Sequence, residues 1–235
     1  MFLKSSFIPA KRQLLLLSVG ALALSAWQIA QTLFKIFPGA LPPAGLPVYL
    51  IAGLAGFAVL VALPGHFIRT IRSAGQGKDL AFNWGELADV QSAILAPVFK
   101  FLLIIFWSFL PVEMYLVLLA KDHGGLSPLA MIVLLILSFI YFPMALLMTA
   151  VTGKLMPSLL PSNVIEPIFK TLKQYILFLF LFWIVFLLPL FGLLLWPVPF
   201  IGPLATCFIL LYLWSCGMRL LGRFYRKEKE RLNWL

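Results

Sequence analysis

Glu113 is the residue whose chemistry is most at odds with its surroundings. It follows Phe109-Leu110-Pro111-Val112 inside a long apolar run, about seven residues from the end of that run, or ~10 Å at 1.5 Å per residue. A carboxylate at that depth can carry a proton or ligate a cation. It can equally be a protonated or hydrogen-bonded glutamate satisfied by a neighbouring helix, or an interfacial one if the helix stops near Pro111. Gln28 stands with Ser25 and Thr32 at helical spacing in an earlier run. Such amide and hydroxyl groups line a polar path or, more commonly, bond one helix to another. Arg69 and Arg72 lie one helical turn apart, with Lys78 close behind. Paired guanidinium groups can grip a lipid phosphate or a partner's carboxylate, although basic residues beside an apolar run also serve topology alone. Arg219, Arg223, Arg226 and Lys227 alternate with Leu220, Leu221, Phe224, Leu232 and Trp234. Residues 219–235 therefore read as a basic amphipathic tail suited to anionic lipid or to a soluble partner.

The patterns that mark enzymes and metal centres are missing. There is no His-Glu-x-x-His, and His66 and His123 fall on opposite sides of the membrane in the topology derived below, which excludes a His-based metal site. No Gly-x-Ser-x-Gly or pair of intramembrane carboxylates occurs. Gly153-Lys154 has neither the glycine spacing nor the preceding strand of a phosphate loop. Cys207 and Cys216 are nine positions apart in one apolar run, which puts them on opposite faces of a helix and prevents a disulfide between them. The expectation is a non-enzymatic chain with no cofactor and no metal.

Composition fixes the solvent in which these residues work. The chain is 63% hydrophobic and 11% charged, with a mean hydropathy of +1.04. A soluble domain carries about 25% charged residues to cover its surface. Lipid tolerates the apolar surface here, provided that backbone groups bond within their own segment. Unbroken apolar runs indicate helices and not the alternating strands of a barrel. Six runs are long enough to span: Leu14–Phe34, Val48–Ile68, Pro97–Leu119, Pro128–Ala150, Tyr175–Trp196 and Phe200–Leu221. Trp196-Pro197-Val198-Pro199 must make a tight turn, because proline stops helix propagation. With the N-terminus inside, all but Lys35 and Lys121 of the 18 basic residues fall on the cytoplasmic side. That asymmetry supports the span count and the orientation together. The net charge of +10 is thus a topology signal, and nucleic acid is excluded as a partner. Ala21-Leu22-Ala23 imitates a signal-peptide cleavage site, but the apolar run continues past it, which favours an uncleaved span.

A repeat is visible in the order of landmarks. Pro64, Gly77-Lys78, Asn83-Trp84-Gly85-Glu86, Phe106-Trp107 and Pro111 correspond to Pro143, Gly153-Lys154, Asn163-Val164-Ile165-Glu166, Phe182-Trp183 and Pro189. Both copies start on the same side, which makes this a parallel repeat. Each Asn-x-x-Glu has the logic of a capping box opening a short helix. Trp84, Leu87, Val90 and Ile94 would form the apolar face of an interfacial helix in the first copy. Ala52, Ala55, Gly56 and Ala62 form a small-residue stripe for close helix packing on the second span.

The stretch Gly65-His66-Phe67-Ile68-Arg69-Thr70-Ile71-Arg72, followed by Gly77 and then Asn83-Trp84-Gly85-Glu86-Leu87, resembles a family of prokaryotic polytopic membrane proteins of unknown function. The similarity covers about residues 50–200. It departs at His66, where the family usually has tyrosine, and at Leu80-Ala81-Phe82, where the family has Leu-Pro. The resemblance implies a prokaryotic cytoplasmic membrane and an all-helical fold, and it implies no activity.

The sequence thus predicts an all-α, six-span, single transmembrane domain over residues 1–235, containing two parallel two-helix repeats. It would sit in the inner membrane of a prokaryote with both termini cytoplasmic. The expected role is a membrane-complex subunit, or a scaffold binding anionic lipids, membrane-protein partners or further copies of itself. Arg69, Arg72, Lys78, Arg219 and Arg223 would be its binding groups. The rival is a small transporter or channel subunit with a polar path near Gln28 and Glu113.

Overall fold

Backbone groups in lipid have no water to bond, so a spanning chain must satisfy them within helices. The computed structural model of the chain describes residues 62–77, 95–120, 128–195, 201–232 and 234. All elements among them are helical, and no strand occurs among the described residues. We name the helical stretch over residues 62–76 α1. It is followed by α2 (Ala96–Ala120), α3 (Pro128–Thr152), α4 (Met156–Leu159), α5 (Pro161–Lys170), α6 (Leu172–Leu187) and α7 (Ile201–Leu232). A 3-10 segment, Leu188–Leu195, extends α6. Four helices in the described residues are long and apolar enough to cross a membrane: Ala96–Leu119, Pro128–Thr152, Leu172–Gly192 and Ala205–Leu232. The predicted first span, most of the second, the 84–94 helix and the Trp196–Pro199 turn lie outside the described residues.

Helices α2 and α3 pack together, as do α6 and α7, while α4 and α5 lie against the end of α3. Aromatic rings dominate the contact between them. Phe139 meets Trp183 edge-on at 4.4 Å, Phe178 stacks on Phe224 at 4.8 Å, and Phe186 stacks on Trp214 at 5.2 Å. Between spans the hydrophobic effect gives no net pull, because lipid tails are as apolar as leucine; close packing and interhelical hydrogen bonds must hold the bundle.

Prolines inside the helices create those hydrogen bonds. Pro143 has no N–H to return to the carbonyl four residues earlier, which belongs to Phe139. The Trp183 indole Nε1 donates to that carbonyl at 3.2 Å. The adjacent Ile140 carbonyl accepts from the Tyr175 hydroxyl at 2.5 Å. Both donors come from α6, so α6 holds α3 at its proline. Pro189 follows Phe186 by three residues, the reach of a 3-10 bond, and the Phe186 carbonyl accepts from Trp214 Nε1 of α7 at 3.2 Å. Several buried hydroxyls take a simpler route. Thr70, Ser138 and Thr149 each donate to the carbonyl four residues back within their own helices, and Thr171, just past the end of α5, donates to the Pro167 carbonyl.

One expected cap is corrected. Helix α5 starts at Pro161, with extended Leu160 as N-cap and no side-chain cap. Proline at the first helical position presets φ, so the helix begins before Asn163. The Asn163 amide instead donates to the Pro157 carbonyl at 3.3 Å, and Glu166 pairs with Lys170 at 2.7 Å. Asn163 and Glu166 therefore form no capping box. The paired aromatic landmarks also differ in setting: Phe182 is fully buried, whereas Phe106 and Trp107 are exposed.

Candidate functional site: a basic end to the bundle

Every Lys and Arg among the described residues lies toward one end of the bundle, where α1, α3 and α7 finish and α2 and α6 begin. What brings the basic groups together is a parallel contact between α1 and α7. His66 faces Ser215, with Nε2 and Oγ 3.5 Å apart, and further along Gly75 lies against Gly222 and the Tyr225 ring. A Cβ built on Gly222 would come within 2.3 Å of the Ile71 carbonyl oxygen and 2.7 Å of Ala74 Cβ. The two backbones touch there, and only a glycine on α7 permits it. This close approach falls at Ala74-Gly75, beyond the small-residue stripe that the sequence offered on the second span.

Helices α1 and α3, which both run toward this end, then stop in the same way. Gly77 has φ +72° and Gly153 has φ +71°, the left-handed conformation that closes a helix without a Cβ penalty. The Gly77 amide donates to the Ala74 carbonyl at 3.2 Å, and the Gly153 amide to the Thr149 carbonyl at 2.9 Å. A guanidinium covers each glycine. Arg226 of α7 lies 2.6 Å from where a Gly77 Cβ would be, and Arg72 of α1 lies 3.4 Å from the corresponding point on Gly153.

The end of α3 is bound by cations from two sides. Arg72 Nε donates to the Ala150 carbonyl at 3.0 Å, and Lys100 Nζ, from the first turns of α2, donates to the Gly153 carbonyl at 2.8 Å. The last carbonyls of a helix lack partners within it and carry the negative pole of its dipole. Two positive side chains satisfy both needs.

The residues singled out from the sequence are thereby sorted. Arg69, Arg72, Arg219 and Arg223 all lie toward this end, and the charges of Arg69 and Arg219 both act on His66. Arg72 is exposed, yet its Nε is engaged in closing α3. Lys78 and Gln28 lie outside the described residues. Glu113 is elsewhere: it is exposed on the other half of α2, about 20 Å along the axis from Lys100 at 1.5 Å per residue. Lys100, Gly77, Gly153, Gly222 and Arg226 were not recognised from the sequence as parts of one assembly. The glycines carried a usable signal, since Gly after a helical run marks its end. The pairing of each cation with its carbonyl carried none.

Residues 219–232 are the last turns of an unbroken α7. Leu220, Leu221, Phe224, Tyr225 and Leu232 are buried against the bundle, and Tyr225 stacks on Trp234 at 5.8 Å. The apolar face of this segment is thus taken up by the protein's own core. Arg226, Lys227, Lys229, Glu230 and Arg231 are exposed, while Glu228 is buried with Arg231 at 3.3 Å. The surface of this end is therefore predominantly cationic. No known family, curated protein or solved structure matches this chain, so the reading of the site rests on its own geometry.

Proposed function

We propose that the protein is a non-enzymatic integral membrane component whose basic end binds anionic lipid headgroups, or the acidic surface of a partner subunit, on the cytoplasmic side. The observation that carries this reading is the parallel α1–α7 contact, which sets Arg69 and Arg219 around His66 and places Arg72 and Arg223 one turn further along the same two helices. Guanidinium groups on packed helices form a fixed array, and such arrays recognise phosphates and carboxylates at a membrane surface. The finer topology in this reading is six spans with both termini cytoplasmic in a prokaryotic inner membrane. The one-sided placement of the described basic residues supports that orientation. Two parallel repeats are part of the same reading, supported by the matching left-handed glycines that end α1 and α3.

The transport alternative has less support. Among the described residues the buried polar side chains are hydroxyls apart from Glu228, which lies at the basic end, and Glu113 faces outward. Purification from native membranes in nanodiscs, with mass spectrometry of retained lipids and proteins, tests the proposal. Enrichment of anionic lipid or a stoichiometric partner, lost in Arg219→Gln/Arg223→Gln, is the expected result. Lipid of bulk composition with no partner overturns it.

A further inference from the structure

We infer that α4 and α5 form an interfacial anchor that seats Ile165 and Phe169 in the boundary between headgroups and acyl chains of the leaflet at the basic end. Helix α5 has three faces. Val164, Pro167 and Ile168 are buried against the bundle. At 100° per residue, Ser162, Glu166 and Lys170 occupy the side turned away, and all three are exposed, with Glu166 and Lys170 paired. Ile165 and Phe169 lie between these faces. Phe169 is 69% exposed although it is the largest apolar side chain of the helix.

A helix with its apolar arc wider than its protein contact, and its charges opposite, is built to lie between protein, lipid and water. The occupant of the uncovered strip is set by what it joins. Just past Ile165 and Phe169, α6 carries its own exposed apolar row at helical spacing, Leu172, Ile176, Phe180 and Ile184. That row is the exposed apolar side of a candidate membrane-spanning helix, the side that meets lipid, and the strip on α5 adjoins it across Thr171, where the helix breaks at φ −116° and ψ 18°. Met156 is 75% exposed on α4, and Lys154, Lys170 and Lys173 are exposed in the chain around the strip. Lysines rimming an apolar strip suit a lipid surface, where the stems lie along the chains and the ammonium groups reach the phosphates.

This assignment goes beyond the binding role proposed above and needs only that the chain spans a bilayer. It does not need the arginine array to bind anything. The test uses the full chain in zwitterionic vesicles, with Cys207 and Cys216 replaced by alanine and a nitroxide placed through Phe169→Cys, Ile165→Cys, Lys170→Cys or Leu177→Cys. Collision with oxygen reports lipid, and collision with a water-soluble nickel chelate reports solvent. The inference predicts that oxygen dominates at Phe169 and Ile165, at a depth shallower than Leu177, and that nickel dominates at Lys170. Nickel dominance at Phe169 and Ile165 overturns it. So does protection of these sites from both reagents, which would mean that protein covers the strip.

Discussion

Arg72 and Ala150 are 78 residues apart in sequence, and the Arg72 Nε donates to the Ala150 carbonyl at 3.0 Å. An arginine that looked free to bind ligand is thus also a structural clamp across two helices. Replacing it leaves a helix-end carbonyl without its charged donor. Arg72→Gln is expected to cost up to about 1.5–3 kcal/mol, the range for a hydrogen bond to a charged group. Arg72→Lys should recover part of the loss. Reversible unfolding in mixed detergent micelles measures both.

Gly77 and Arg226 should behave as a coupled pair. Gly77→Ala forces a Cβ into the left-handed region at about 1–2 kcal/mol and also meets the Arg226 guanidinium, 2.6 Å from that Cβ. The arginine must then move away. Arg226→Ala should therefore destabilise the native sequence but have little effect once Gly77→Ala is present. A double-mutant cycle of unfolding free energies reads this coupling, and strict additivity would contradict it.

Two glycines of α7 predict opposite outcomes for the same substitution. At Gly222 the new methyl meets the Ile71 carbonyl and the Gly75 nitrogen, which are backbone and cannot step aside. Gly222→Ala should cost about 3 kcal/mol, at the upper end for overpacking, and should lower the yield of folded protein. At Gly217 the nearest atom to a new Cβ is 3.7 Å away on Phe182. There, Gly→Ala should stabilise the helix by about 0.5–1 kcal/mol. Thermal aggregation midpoints of the two purified variants compare them directly.

Trp183 matters because of a proline on another helix. Trp183→Phe keeps a ring but strands the Phe139 carbonyl, for an expected loss of about 1–2 kcal/mol. In a Pro143→Ala background the helix regains an N–H for that carbonyl, and the same change should cost much less. An equal cost in both backgrounds would show that the indole contributes by packing alone.

The helices were easier to read than their ends. The predicted Pro97–Leu119 and Pro128–Ala150 runs match α2 and α3 within two residues at each boundary, because an unbroken apolar run has one economical conformation in lipid. The last span was expected to stop at Leu221 with a basic helical tail from Arg219 on, and the two are one helix that runs unbroken to Leu232. Leu220, Leu221 and Phe224 keep the helical period through the basic residues, so the charges mark a surface and not a stop. The arginines at the basic end were legible by type and spacing. Their partners were not, since a backbone carbonyl has no signature in sequence. Pro143 announces that some donor must reach Phe139, but only the packing of α6 supplies Trp183.

The contact of Ile71 with Gly222 also sets an order of events during synthesis. Helix α1 leaves the ribosome long before α7 exists, a delay on the order of ten seconds at about 5–20 residues per second. Through that interval its Ala74-Gly75 notch has no partner from its own chain. α7 is therefore the closing piece of the bundle, and a chain cut short before Gly222 would carry an open notch that marks it as unfinished.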